Sequence, residues 1–249
     1  MIQEGRAQAA ANRRIARAWL APQAFRRARA ETVTGVYVPT YLYSAHCESD
    51  FKVEIGEQYQ ESETYTTTEN GRSVQRTRTV TSTEWYPLRG RYSAYVERVV
   101  SASSGIPNPE LEAIEPFDLR ALHRFRAETL AGFAAEEASL PTATCWANAR
   151  EEASAEVGER ISKFLPGDSQ RSLEQRVDFR NEDLTLALLP VWVLAVRYHP
   201  ERRVVRMLIN GQTGALYVRT PISKYKVLTL AMVVIGLCFL ALWKSGVFE

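Results

Sequence analysis

The period of the apolar residues changes twice along this chain, and that change restricts its fold more than any single motif. Val36, Val38, Thr40 and Leu42 alternate with Tyr37, Pro39, Tyr41 and Tyr43; Phe51, Val53, Ile55 and Tyr59 alternate with Lys52, Glu54, Gly56 and Gln58. A period of two is that of a strand with one face on a core. Residues 91–100 form a further strand candidate. From Ala143 to Leu165 the step becomes three or four. Trp146, Ala149, Ala153, Val157, Ile161 and Phe164 then share one helical face, and Pro166-Gly167 ends the run. Before it, Pro107 and Pro109 open a helical region, with Asp118 as an N-cap ahead of Leu119, Leu122 and Phe125. Strand signals return at Arg176–Phe179, Leu184–Tyr198, Val204–Ile209 and Ala215–Arg219. The order predicts an α+β fold. Its antiparallel β-rich body covers residues 35–222, with β segments at 35–100 and 172–220 around a helical insertion at 106–166.

Two Asn-Gly pairs mark hairpin turns, at Asn70-Gly71 and Asn210-Gly211. Residues 61–84 around the first hold eight Thr, with Arg72, Arg76 and Arg78 interleaved. Both faces of these arms are polar, which predicts a long hairpin projecting into solvent or towards a partner. Val38-Pro39-Thr40-Tyr41-Leu42 and Leu189-Pro190-Val191-Trp192-Val193 echo one another as apolar-Pro-x-aromatic-apolar segments. Two related β-units, or chance similarity, would produce that echo.

The chain's ends differ from its body. Residues 227–243 hold 17 positions without a charge, apolar on every helical face. Lys224, Tyr225 and Lys226 before the span, and Trp243 and Lys244 at its far end, suit a membrane interface. These features predict a C-terminal transmembrane helix over 223–249. By the positive-inside rule the bulk of the chain then lies in the cytoplasm. Residues 1–34 form a basic helical segment interrupted at Pro22, with seven Arg between Arg6 and Ala30 and no acid there. Arg13, Arg14, Arg17, Arg26 and Arg27 are its candidate surface contacts. They could meet anionic lipid or nucleic acid, or form a solvated face of a helix docked by Trp19 and Phe25. The formal net charge of +2 is thus +5 over 1–34, −5 over 35–222 and +2 over 223–249.

Cys47, Cys145 and Cys238 are far apart and form no C-x-x-C pair, and His46, His123 and His199 are equally scattered. Neither a disulfide framework nor a zinc site is expected, and no metal or cofactor. A composition of 45% hydrophobic and 24% charged residues excludes a disordered or collagen-like chain.

Several pieces, in order over residues 15–225, resemble a bacterial family with a transcription-factor-B-type zinc ribbon, often labelled primosomal helicase-like. They are Trp19-Leu20-Ala21-Pro22, Gly35-Val36-Tyr37-Val38-Pro39-Thr40-Tyr41, Leu130-Ala131-Gly132-Phe133 with Glu136, Gly167-Asp168, Leu188-Leu189-Pro190-Val191-Trp192, and Asn210-Gly211-Gln212-Thr213-Gly214 with Pro221. The resemblance implies no activity that can be transferred. This chain lacks the ribbon, and has Tyr41 where Trp and Ser44 where Asp are usual in the family. Without the ribbon, nucleic acid is the less expected partner. No G-x-x-x-x-G-K-[S/T] loop is present for a helicase.

An acid–base enzyme would have to draw on Asp168, Glu136, Glu137 and His46, and no G-x-S-x-G or H-E-x-x-H motif accompanies them. The expected function is therefore non-catalytic: a tail-anchored scaffold or protein-binding module that presents its Thr/Arg hairpin or Tyr37, Tyr41 and Tyr43. A nucleic-acid-associated factor using the N-terminal arginines is the alternative, and a hydrolase the third.

Overall fold

A computed structural model describes residues 1–69, 72–130 and 132–244, with side chains at 1–67, 73–126, 128, 130 and 132–238. The expected turn at Asn70-Gly71 lies outside the described residues. The chain forms two compact units. The first comprises Met1–Thr40, Ser101–Leu140 and Ala187–Glu249; the second comprises Tyr41–Val100 and Pro141–Leu186.

The first unit is a sheet covered by a helix. It holds the start of β1 (Thr32–Glu69), β3 (Ala134–Ala135), the end of β4 (Ser169–Val196), β5 (Val205–Asn210) and β6 (Leu216–Val218). Its strands run β3-β1-β4-β5-β6. β5 pairs antiparallel with β4 from Val191–Asn210 to Val196–Val205, and β6 pairs antiparallel with β5. The short β3 is parallel to β1. The helix α1 (Glu4–Arg17) buries Ala7, Ala11 and Ile15, one every four residues, against Trp192, Leu194, Met207 and Ile209. Pro22, which lacks an N–H, caps the short α2 (Gln23–Arg27), whose Phe25 enters the same core.

Over residues 106–141 the expected helical region does not form a long helix. The short α3 (Asn108–Glu112) and two 3₁₀ turns, 119–121 and 127–130, occupy it. Asp118 does cap, but only the 3₁₀ turn, accepting from Arg120 N at 3.1 Å. Four prolines between residues 107 and 141 remove main-chain donors, so an α-helical ladder cannot propagate.

The second unit packs α4 (Thr142–Phe164) on a three-stranded sheet ordered β2-β1-β4, with β2 spanning Arg72–Ser101. Cross-strand pairs step in opposite directions along neighbouring strands, as antiparallel pairing requires. Arg91 meets Asp50 where Arg78 meets Glu63, and Arg180 meets Glu48 where Arg171 meets Glu54. Cys145, Ala149, Ala153, Val157 and Ile161 form the buried stripe of α4, and Phe51, Val53 and Ile55 are buried on β1. Phe164, expected on that stripe, is exposed.

Two residues of β4 other than glycine have positive φ, Ser172 at 54° and Asn181 at 50°. Each marks a β-bulge. Val177 and Phe179 face inward before Asn181, and Glu182 and Leu184 after it, so the inward parity switches from odd to even.

The expected fold class needs correction at its C-terminal end. The helix α5 covers Lys224–Lys244, but among the described residues no helix is long and apolar enough to cross a membrane. The uncharged run 227–243 spans about 25 Å of helix, against about 30 Å of hydrocarbon. The transmembrane helix, the single-span membrane partner and the tail-anchored localisation are therefore not supported. The cytoplasmic orientation built on that anchor loses its basis with it.

The two echoing Pro segments belong to neighbouring strands, β1 and β4, of one sheet order. Their proline carbonyls are used alike. Pro39 O accepts from Ala102 N at 2.9 Å, and Pro190 O accepts from Gly211 N at 2.8 Å.

Candidate functional site

Two carboxylates of the second unit hold α4 on its sheet. Glu182, delivered inward by the bulge at Asn181, accepts from Tyr43 Oη at 2.7 Å, Trp146 Nε1 at 3.2 Å, and Arg150 Nε and Nη2 at 2.7 and 2.6 Å. The Arg150 guanidinium also lies 5.8 Å from the Trp146 ring centre and 5.6 Å from that of Phe179. Hydrogen bonds from Arg150, joined by those from Tyr43 and Trp146, hold the Glu182 carboxyl below its ordinary range although burial opposes them. The Tyr43 hydroxyl is pushed up, by burial first and by Glu182 second. The other carboxylate, Glu156 on α4, pairs with Arg98 of β2 at 2.7 Å and with Arg160. Arg160 Nη1 in turn donates to the Tyr95 carbonyl of β2 at 3.2 Å.

This clamp supports a sheet with two unlike edges. In the unit's order β2-β1-β4, β2 lies at one end. At the other end, β5 pairs with β4 only over Val191–Val196, so residues 169–190 lie beyond that pairing. Both bulges fall in that stretch of β4, the device by which sheets blunt an edge. β2 has no positive-φ residue among its described positions. Its residues 73–79, and residues 57–66 of β1, are exposed on both faces. The long polar hairpin expected from the Thr/Arg pattern thus forms as far as Glu69 on one arm and Arg72 on the other. Arg78 crosses it to Glu63 and lies 5.4 Å from the Tyr65 ring centre. At Tyr95, α4 covers a β2 carbonyl through Arg160.

The candidate catalytic residues occupy separate local settings. Asp168 accepts from Gln58 N at 2.8 Å while its own N–H donates to Gly56 O, so it fastens the start of β4. His46 packs edge-on to Tyr95. Glu136 accepts from Ser103 Oγ at 2.5 Å, and Ser103 Oγ accepts from Gly105 N and Ile106 N, which fixes the turn after β2. Glu137 is exposed. Among the described residues no group of three or more His, Cys, Asp or Glu is placed to hold a metal ion. Of the tyrosines, Tyr43 is buried, Tyr41 bonds Thr142 Oγ1 at 3.0 Å, and Tyr37 packs on Phe133.

Arg13, Arg14, Arg17, Arg26 and Arg27 are all exposed on α1 and α2. Phe25 docks that segment as expected, but Trp19 is 58% exposed and Ile15 fills the core instead. Lys226 Nζ donates to the carbonyls of Trp19 and Ala21 at 2.8 and 2.7 Å, fastening the start of α5 to the α1–α2 link. Lys224 and Tyr225 are exposed, and the side chains of Trp243 and Lys244 lie outside the described residues.

Composition gives no hint of the buried Asn210. Its Nδ2 donates to the Ile114 and Pro116 carbonyls at 2.9 and 3.0 Å, and its Oδ1 accepts from Gln212 N and Thr213 N at 2.8 and 3.0 Å. Beside it, a Cβ on Gly211 would stand 2.7 Å from Pro190 O, so only glycine fits. Phe133 packs between Tyr37 and Trp192, with ring centres 5.2 and 4.8 Å apart, and its ring fills the space a Cβ at Gly35 would take. Gly35, Tyr37, Phe133, Pro190, Trp192, Asn210 and Gly211, drawn from four of the pieces that carry the family resemblance, are therefore packing and turn residues of the first unit.

Over 227 residues the chain is 26% identical to the uncharacterized protein YdjG of Bacillus subtilis (strain 168). That alignment takes in 90% of this chain but 62% of YdjG, so the chain spans less than two thirds of the relative's length. No protein-family model and no solved structure matches it.

Proposed function

We propose that this protein is a non-catalytic scaffold module that binds an extended segment of a protein partner along the free edge of β2. The observation that carries this reading is the asymmetry of the second unit's sheet: two positive-φ residues interrupt the part of β4 beyond its pairing with β5, while the 30 residues of β2 have none among the described positions. An unpaired edge offers main-chain donors and acceptors to an incoming strand, and side chains on alternate positions set which strand fits. Here those side chains are Thr and Arg, which keep the edge soluble and favour a polar segment. The two carboxylate clamps keep α4 on the sheet without covering β2 before Tyr95. Kinship with the zinc-ribbon family belongs to the same proposal. The shared motifs support a common framework, and the family contributes no chemistry to transfer.

The test is site-specific photocrosslinking in the source cells. Thr77→benzoylphenylalanine or Thr81→benzoylphenylalanine on β2 is expected to trap a discrete protein adduct. Thr185→benzoylphenylalanine on β4 is expected not to. Equal labelling at both edges, or none at β2, would refute strand addition at this edge.

A further inference from the structure

The first unit's helices carry a row of exposed arginines. Ten arginines from Arg78 to Arg206 form ion pairs. Among the described residues Arg6, Arg13, Arg14, Arg17, Arg27 and Arg29 form none, and all six are exposed. A row of exposed arginines without carboxylate partners holds charge available to an anion. On α1, Arg6, Arg13 and Arg17 fall within about 40° of one line, at successive rises of about 10 and 6 Å. A groove follows the same face. It is lined by Ile2, Ala9 and Ala10, by Gln3, Gly5 and Gly214, and by Arg6 and Arg13.

The lining discriminates between anions. A phosphodiester chain is polar along its whole length and favours hydroxyl and N–H donors beside the arginines. Beside its guanidinium groups this groove offers the apolar side chains of Ile2, Ala9 and Ala10, with Gln3 as its one uncharged polar side chain. A ligand that fits both features alternates carboxylates with apolar side chains. Small residues at 9 and 10 also let a second helix approach closely. We propose that this groove docks an acidic amphipathic helix of a protein partner, with carboxylates spaced seven and four residues apart to meet Arg6, Arg13 and Arg17. The groove belongs to the first unit and residues 72–100 of β2 to the second, and a partner here does not depend on strand addition there.

The probe is a labelled synthetic helix with three Glu at those spacings and two Leu between the wider pair, titrated with the full chain. The Glu helix is expected to bind. Arg13→Glu with Arg17→Glu is expected to weaken it at least about tenfold, and a helix with Lys in place of Glu to recover binding to that variant. Because both arginines are exposed, the variant is expected to keep the parent's unfolding midpoint. Arg202→Glu with Arg203→Glu, on a turn outside the groove, is the charge control and is expected to bind as the parent does. Equal affinity for a Gln-substituted helix, or no effect of the charge reversal, overturns the proposal. So does tighter binding of a single-stranded oligonucleotide or of phosphatidylglycerol vesicles that the same reversal abolishes. Crosslinking at β2 is untouched by any of these results.

Discussion

Asn210→Asp is expected to destabilise the protein more than Asn210→Ala, although Asp is nearly isosteric with Asn. The Ala variant leaves two carbonyls and two N–H groups without their partner in a site where Asn210 is fully buried. That loss is about 3 kcal/mol. The Asp variant still accepts from Gln212 N and Thr213 N. Its second oxygen, however, faces the Ile114 and Pro116 carbonyls, 2.9 and 3.0 Å from where Nδ2 now donates. An ionised carboxylate against two acceptors adds a desolvation and repulsion cost, for a total of about 4 kcal/mol or more. Urea unfolding gives the comparison directly, through a lower midpoint at unchanged slope. The introduced carboxyl binds a proton more tightly folded than unfolded. Its excess penalty over Ala is therefore present at neutral pH and shrinks as the pH falls through the folded-state value. Equal midpoints for the two variants at pH 7 would show that this turn is not held by the Asn210 amide.

Glu182→Ala is the second large effect, at about 3 kcal/mol, because Tyr43, Trp146 and Arg150 all lose one acceptor at a position only 13% exposed. Glu182→Gln keeps an acceptor and forfeits the charge, for about half of that. The carboxyl's folded-state pKa lies below its unfolded one. Its stabilisation is therefore complete above the ordinary glutamate value of about 4.3 and is lost as the pH falls through the lower folded value. The gap between the parent and the Gln variant is expected to close in that acidic window. A gap constant from pH 7 to pH 2 would contradict the ionic part of this clamp.

The parts of the fold legible in the sequence are those where burial imposes a regular period. Phe51, Val53 and Ile55 show β1, and Ala149, Ala153, Val157 and Ile161 show α4, because each element has one buried face. β4 looks like two strands because Arg180-Asn181-Glu182-Asp183 interrupts its apolar pattern with four polar residues. In the structure the strand continues through them, and the bulge falls there on an Asn, so no glycine flags it. Glu182 is hidden for the same reason: an acid in a polar run looks solvated until its partners, 32 to 139 residues away, are known. The projecting hairpin is visible from its two polar faces. Which of its strands is the sheet's edge is not, since strand order depends on pairings distant in sequence. The arginine count of the first helices is likewise plain, while their lack of carboxylate partners is a property of the folded surface.

The switch of parity at Asn181 makes β4 behave like a reading frame. Because Asn181 is the extra residue, deleting it would restore strict alternation and leave Glu182 and Leu184 facing inward as before. Inserting one residue into the alternating run 173–179, with the bulge retained, would instead turn every side chain on one side of the insertion to the opposite face. Single-residue insertions there should therefore be rare among natural variants of this chain, and loss of Asn181 the tolerated change. Within residues 57–66 and 73–79, where both faces already meet water, insertions of two residues should be tolerated.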